Sequence, residues 1–215
     1  MSQAPANAAP MQPPYAAIPL IKGALVLINR TNATQKTTVP FQYNPDTLTR
    51  SLTPRYYKSQ GDRFTGPAAQ SIDVTVRLED SVNGGADANG ILPQLAALEM
   101  MINPSSTDLD AYAQSVQSNK LQAVPPLAPR VLFVWGQNRV LPVRLNSISV
   151  TETMFNNNLT PVIADVGLKM ELYPFEEASP ADYQYLLANI KRLERAQKKL
   201  DTTGVNIGVN VEGLQ

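Results

Sequence analysis

The sequence of 215 residues contains no cysteine and no histidine. The first absence removes disulfide frameworks and thiolate chemistry. Together they remove zinc sites built on these ligands, histidine acid–base work and any Ser-His-Asp mechanism. Charge is scarce as well. Only 17 % of residues are charged, and 18 basic residues balance 18 acidic ones, for a formal net charge of zero. Nucleic acid and anionic membranes ordinarily draw on a basic excess, so neither is expected as the main partner. A chain near neutrality tends instead to associate. No run approaches the roughly 20 continuous apolar residues of a membrane-spanning helix. The opening MSQAPANAAPMQPPYAAIPLIKG has no basic start followed by a long apolar block, so it does not read as a secretory signal. A cytoplasmic product, or one that leaves the cell by another route, is the expectation.

Apolar residues make up 43 % of the chain, enough for one substantial core with appendages. Residues 1–20, rich in Ala, Pro and Gln without periodicity, read as a flexible arm. From Lys22 onward the pattern is extended: KGALVLINR, KTTVPFQYN and DTLTRSLTPRYYK follow one another. In SIDVTVRLED, Ile72, Val74, Val76 and Leu78 alternate with polar residues, the mark of a strand with one wet face. A helical insertion is expected at about 91–119. Its first part places Leu92, Leu95, Leu98 and Ile102 at helical spacing before Pro104, and its second, STDLDAYAQSVQSNK, has a thin apolar face.

After AVPPLAP comes the buried-looking strand RVLFVWG. Leu141, Val143 and Leu145 then share one parity while Ile148 and Val150 take the other, which calls for a β-bulge or a bend. The three consecutive Asn of MFNNNLTP suit a turn with positive φ. From Val162 to Leu172 the alternation is strict. In 176–200, Ser179, Pro180 and Asp182 form a strong helix start, and Tyr183, Leu186, Leu187, Ile190, Leu193 and Leu200 form an apolar stripe. The tail 201–215 alternates Val205, Ile207, Val209 and Val211 with polar or small residues. It is either a strand seeking the edge of a sheet on another subunit or a frayed end. The fold class is thus α+β, an antiparallel β-barrel or sandwich with an inserted helix and a C-terminal helix.

Candidate chemistry is thin. Asp108 with Asp110, and Glu176 with Glu177, lie in polar settings that leave a carboxylate ordinary. VNGGADANG matches neither a phosphate loop nor a dinucleotide fingerprint nor a calcium loop. Arg50, Arg55, Lys58 and Arg63 lie among Tyr56, Tyr57 and Phe64. That mixture serves either single-stranded nucleic acid or a sheet face used in contacts. Trp135, the sole tryptophan, reads as a core residue or an interface anchor.

One short stretch, PFQYNPDTLTRSL, has no need of a reactive role: Asn-Pro simply forces a corner. Taken with IDVTVRLEDS and with the segment running from PPLAPRVLFVWG through MFNNNLTP to KMEL, it resembles the tube-type baseplate protein of contractile injection systems. These are the phage-tail-like particles that include the antifeeding prophage and the Photorhabdus virulence cassettes. The resemblance covers about 21–175 and implies a tail-tube β-barrel over that span. It makes Phe41, Tyr43, Asn44, Pro45, Trp135 and Gly136 structural signatures rather than catalytic residues. Arg50, Arg55, Tyr56 and Tyr57, with the four tail residues, are the candidate interface. The implied role is a non-enzymatic ring, six-fold, without cofactors. Its partners would be the inner tube protein, the spike or hub protein and the baseplate subunits, in a particle that is released or retained. Many relatives continue into a LysM-type domain; here the Ser179–Leu200 helix and a short tail follow the barrel. The alternatives are a cap-end adaptor of the same particle, a single-strand-binding module, and a carboxylate enzyme with Asp108 or Glu176 in a cleft.

Overall fold

A computed structural model of the chain describes residues 21–30, 34–57, 63–80, 89–118 and 124–200. Among them, in order, are β1 (Ala24–Ile28), β2 (Lys36–Pro40), β3 (Leu48–Thr53), β4 (Ala69–Glu79), α1 (Leu92–Glu99), α2 (Ser106–Gln117), β5 (Arg130–Val134), β6 (Val140–Phe155), β7 (Pro161–Leu172) and α3 (Pro180–Gln197). Every ladder is antiparallel, and the strands lie in the order β2-β1-β5-β6-β7-β4-β3. The α+β class therefore holds. Among the described residues the strands form one seven-stranded sheet, and no ladder joins its edge strands β2 and β3.

Alternation decides the core. The even residues of β4 and β7 (Ile72, Val74, Val76, Leu78; Ala164, Val166, Leu168, Met170, Leu172) are buried on one face. Each large side chain so buried contributes about 1.5–3 kcal/mol. The parity change in β6 is a bulge: Leu145 faces Met170 and Ser147 faces Lys169, leaving Asn146 without an opposite. β5 has ladders on both sides, and Val131, Leu132 and Phe133 are buried in succession.

The helices depart from expectation in informative ways. The insertion is two helices, and α1 buries Leu95 and Leu98, with Ile91 and Met101 flanking it, while Leu92 and Ile102 stay exposed. The stripe is set by where the helix docks: the Ile91 N–H donates to the Pro161 carbonyl at 3.0 Å, which turns Ile91 rather than Leu92 inward. The 12-residue α2, capped by Ser105, buries no residue. α3 starts where its cap predicts, the Ser179 hydroxyl accepting from the Asp182 N–H, but of its expected stripe only Leu186 is buried and Leu193 and Leu200 lie open. What anchors α3 instead is polar. Asp182, 3 % exposed, meets Arg130 of β5 at 2.6 Å. In the β6–β7 turn the positive φ falls on Leu159, not on an asparagine. Asn156 uses its side chain, accepting from the N–H groups of Asn158 and Thr160.

Candidate assembly interface

β2 and β3 are consecutive in sequence yet lie at opposite edges of the sheet, joined only by residues 41–47. In a flat sheet, strand spacing of about 4.8 Å would separate these edges by roughly 29 Å. The connection from Pro40 to Leu48 would have to be fully extended to reach that far, at about 3.3–3.6 Å per residue. It bends at Gln42, Tyr43 and Asp46 instead, so the sheet has to curl until its edges approach. The Phe-Gln-Tyr-Asn-Pro segment is the strap across that gap.

Each strap residue is tied down. Phe41, 1 % exposed, enters the core with its ring centroid 6.4 Å from those of both Phe133 and Trp135, and its N–H donates to the Gly23 carbonyl at 2.8 Å. Gly23 has to lack a side chain here, since a Cβ would stand 2.6 Å from the Phe41 ring. The Gln42 amide acts as a surrogate peptide group at the end of β4. Its Nε2 donates to the Glu79 carbonyl at 2.8 Å, while its Oε1 accepts from the Glu79 N–H. Tyr43 donates to the Glu79 carboxylate at 3.3 Å. Asn44 reaches the segment before β1, accepting from the Gly23 N–H at 3.0 Å and donating to the Ile21 carbonyl at 2.9 Å. Pro45 follows the corner and keeps it out of helical geometry. Trp135 is half-buried, stacked on Phe133 at 5.7 Å, and Gly136 takes φ +70° in the tight β5–β6 turn that the Trp135 N–H closes onto the Arg139 carbonyl.

The other half of the sheet is open. β5 pairs with β6 only over Val140–Val143, so from Arg144 to Phe155 β6 has a ladder partner on one side only among the described residues. β3, at the far edge, likewise pairs only with β4. Between these edges, the face turned away from the core is polar over four successive rows and turns apolar at one end, where Ile163 lies between Glu79 and Met154. Ser51, Ser71, Glu171 and Arg144 form one row; Thr49, Asp73, Lys169 and Ser147 the next; then Thr75, Gly167 and Ser149; then Arg77, Asp165 and Thr151. Unpaired sheet edges are sites of strand addition unless blunted.

No protein-family model matches the chain, and no curated protein matches it. Among solved structures, a chain from the tail of an empty GTA particle, refined helically with C6 symmetry, is similar over 70 % of this chain and 91 % of its own, at 12 % identity and a TM-score of 0.28. That TM-score is too low to carry an argument about fold or function.

The basic–aromatic stretch is partly self-occupied. Arg55 pairs with Glu176 at 2.7 Å, and the Tyr56 and Phe64 rings stack on each other at 5.1 Å. Tyr57 is half exposed, its N–H donating to the Arg63 carbonyl at 2.8 Å. Arg50 projects from β3 on the core-facing side, opposite Ile72, and is exposed. The carboxylate pairs are not paired with each other: Glu177 bonds Arg144 at 2.8 Å, and Asp108 accepts from the capping Ser105. The Glu176 carboxyl is held below the usual carboxylate range, first by its own backbone N–H and then by Arg55. Arg144 is pushed up, first by its bond to Glu177 and then by Tyr173. Lys58 and the tail residues Val205, Ile207, Val209 and Val211 lie outside the described residues. The open edge of β6 was missed as a site by sequence reasoning. The alternation in β4 and β7 signalled a wet face, but nothing local signals which strands lack a neighbour.

Proposed function

We propose that this chain is a non-enzymatic structural subunit of a phage-tail-like contractile injection particle, forming a six-fold ring where the inner tube meets the spike hub and baseplate. The observation that carries the ring is the half-sheet β6-β7-β4-β3: among the described residues β3 and the stretch of β6 from Arg144 onward lack an outer ladder partner, and the face turned away from the core is polar over four successive rows. The four strands alternate in direction, so β3 of one copy and β6 of the next are antiparallel under a simple rotation, the head-to-tail relation that closes rings. Copies joined this way continue one sheet around a cylinder. The polar rows face a water-filled channel, and the apolar cores lie outside it. The address within the particle comes from the resemblance of Pro40–Leu52 and Pro125–Leu172 to the baseplate family, as do the inner tube, spike or hub and baseplate partners.

Negative-stain imaging of particles purified from the native host, with and without this gene, tests the reading. Loss of sheathed particles, or their replacement by tubeless fragments, is expected. Particles of normal diameter with ragged far ends and uncontrolled length would move the subunit to the cap, and unchanged particles would overturn the assignment.

A further inference from the structure

We infer that copies join in one antiparallel register, in which Arg50, Ser51, Leu52 and Thr53 of β3 face Glu152, Thr151, Val150 and Ser149 of the next copy's β6. The inference rests on the ring reading above and gives that ring its seam.

The register follows from which face each side chain occupies. On β3, Arg50 and Leu52 share the core-facing side with their partners Ile72 and Gln70, while Ser51 shares the polar side with Ser71. On β6, Val150 and Glu152 share the core-facing side with Val166 and Ala164, while Ser149 and Thr151 share the polar side with Gly167 and Asp165. A slip of one residue exchanges the two faces and puts Leu52 opposite a hydroxyl on the wet side. A slip of two places the Glu152 carboxylate opposite Leu48 or Leu52. Only the stated register sets leucine on valine, hydroxyl on hydroxyl and guanidinium on carboxylate, the pairings that stabilise a ladder.

Exposure and charge agree with it. Leu52 is 53 % exposed and Val150 38 %, apolar side chains at two edges without a partner strand. Arg50 stands in a crowd of cations with Arg139 and Arg192. The Arg139 Nε is buried without an acceptor, and neither Arg50 nor Arg139 has an ion pair among the described residues. Arg139 is held below the usual arginine range, first by burial and then by the charges of Arg50 and Arg192. Glu152 is an exposed carboxylate, also without an ion pair among the described residues. The neighbour's Glu152 supplies the counter-charge this crowd lacks.

The absence of cysteine makes the seam directly readable. Ser51 and Thr151 of one copy are separated by β4 and β7, beyond the reach of a disulfide, so a bond between cysteines there has to join two copies. The full chain carrying Ser51→Cys with Thr151→Cys, assembled in particles and oxidised, is expected to give a ladder of cross-linked copies on a non-reducing gel. The shifted pairs Ser51→Cys with Ser149→Cys, and Ser51→Cys with Thr153→Cys, are expected to give none. A ladder from a shifted pair instead overturns the register. No ladder from any pair, in particles that contain the chain, overturns the seam and leaves the ring reading standing; particles lacking the chain overturn both. In the background of Ser51→Cys with Thr151→Cys, Arg50→Glu is expected to abolish the ladder and adding Glu152→Arg to restore it. Failure of that rescue, with melting curves matching the parent, overturns the charge pairing.

Discussion

Two regions of this molecule treat their polar groups in opposite ways. Around the strap, Gln42, Tyr43 and Asn44 each find partners within the chain, and Phe41 is packed on two aromatic rings. Across the half-sheet β6-β7-β4-β3, two edges lack a ladder partner among the described residues, and the polar rows lie open apart from surface ion pairs such as Arg144–Glu177 and Arg77–Asp165. β5 and the far half of β6 sharpen the contrast. Both carry apolar residues, yet β5 is buried on both faces, with Asp182 of α3 meeting Arg130 on the face that Leu132 shares, whereas Val150, Met154 and Phe155 of β6 are exposed. Burial here is decided by neighbours. The strap shows what the chain completes alone, and the open half-sheet shows what it leaves for another copy.

Substitutions in the closed region should cost folding stability, and those in the open region should cost assembly alone. The largest loss is expected from Phe41→Ala, about 3–5 kcal/mol, because the ring's cavity lies among Phe133, Trp135 and Gly23 with little room to relax. Urea unfolding reads this as a lowered midpoint at unchanged slope. Asp182→Ala should cost a comparable amount, roughly 3–5 kcal/mol, since it strands the largely buried Arg130 charge; a double-mutant cycle with Arg130→Met isolates the pair. Asn44→Ala removes two strap bonds and should cost about 1–3 kcal/mol, visible first as faster amide exchange at Gly23. Loss of stability well below these ranges would mean that the strap is ornament and the curl has another cause.

Smaller effects test the open side. Val150→Ser should leave the isolated chain within about 0.5 kcal/mol of the parent by thermal unfolding, while removing the subunit from purified particles. Acid titration probes the Arg55–Glu176 contact. Glu176 has its folded pKa depressed, so its contribution is present above the ordinary carboxylate range and is lost as pH falls through the folded value. Glu176→Gln should therefore flatten the acid limb of the stability curve slightly and leave neutral stability nearly unchanged. A neutral-pH loss as large as that of Asn44→Ala would show that this exposed pair behaves like the strap.

Much of the chain declares itself locally. A strand with period-2 alternation has to bury one face and wet the other, so β4 and β7 are readable residue by residue. The Ser179 hydroxyl accepts from the orphan Asp182 N–H and Pro180 brings no N–H to satisfy, so α3 starts from local signals. The parity change after Leu145 marks the bulge before any partner strand is known. The same local logic misread the α1 stripe and the length of the α3 stripe, because a helix surface is buried only where something lies against it. Strand order, the crossing of the strap from one edge to the other, and the length of β6 left unpaired beyond β5 all depend on contacts between residues far apart in sequence. The residue pattern by itself determined the elements, their caps and their wet faces, since these follow from backbone periodicity and nearby hydrogen bonds. Only the tertiary structure decided which edges stay open, because an edge is defined by the neighbour it does not have.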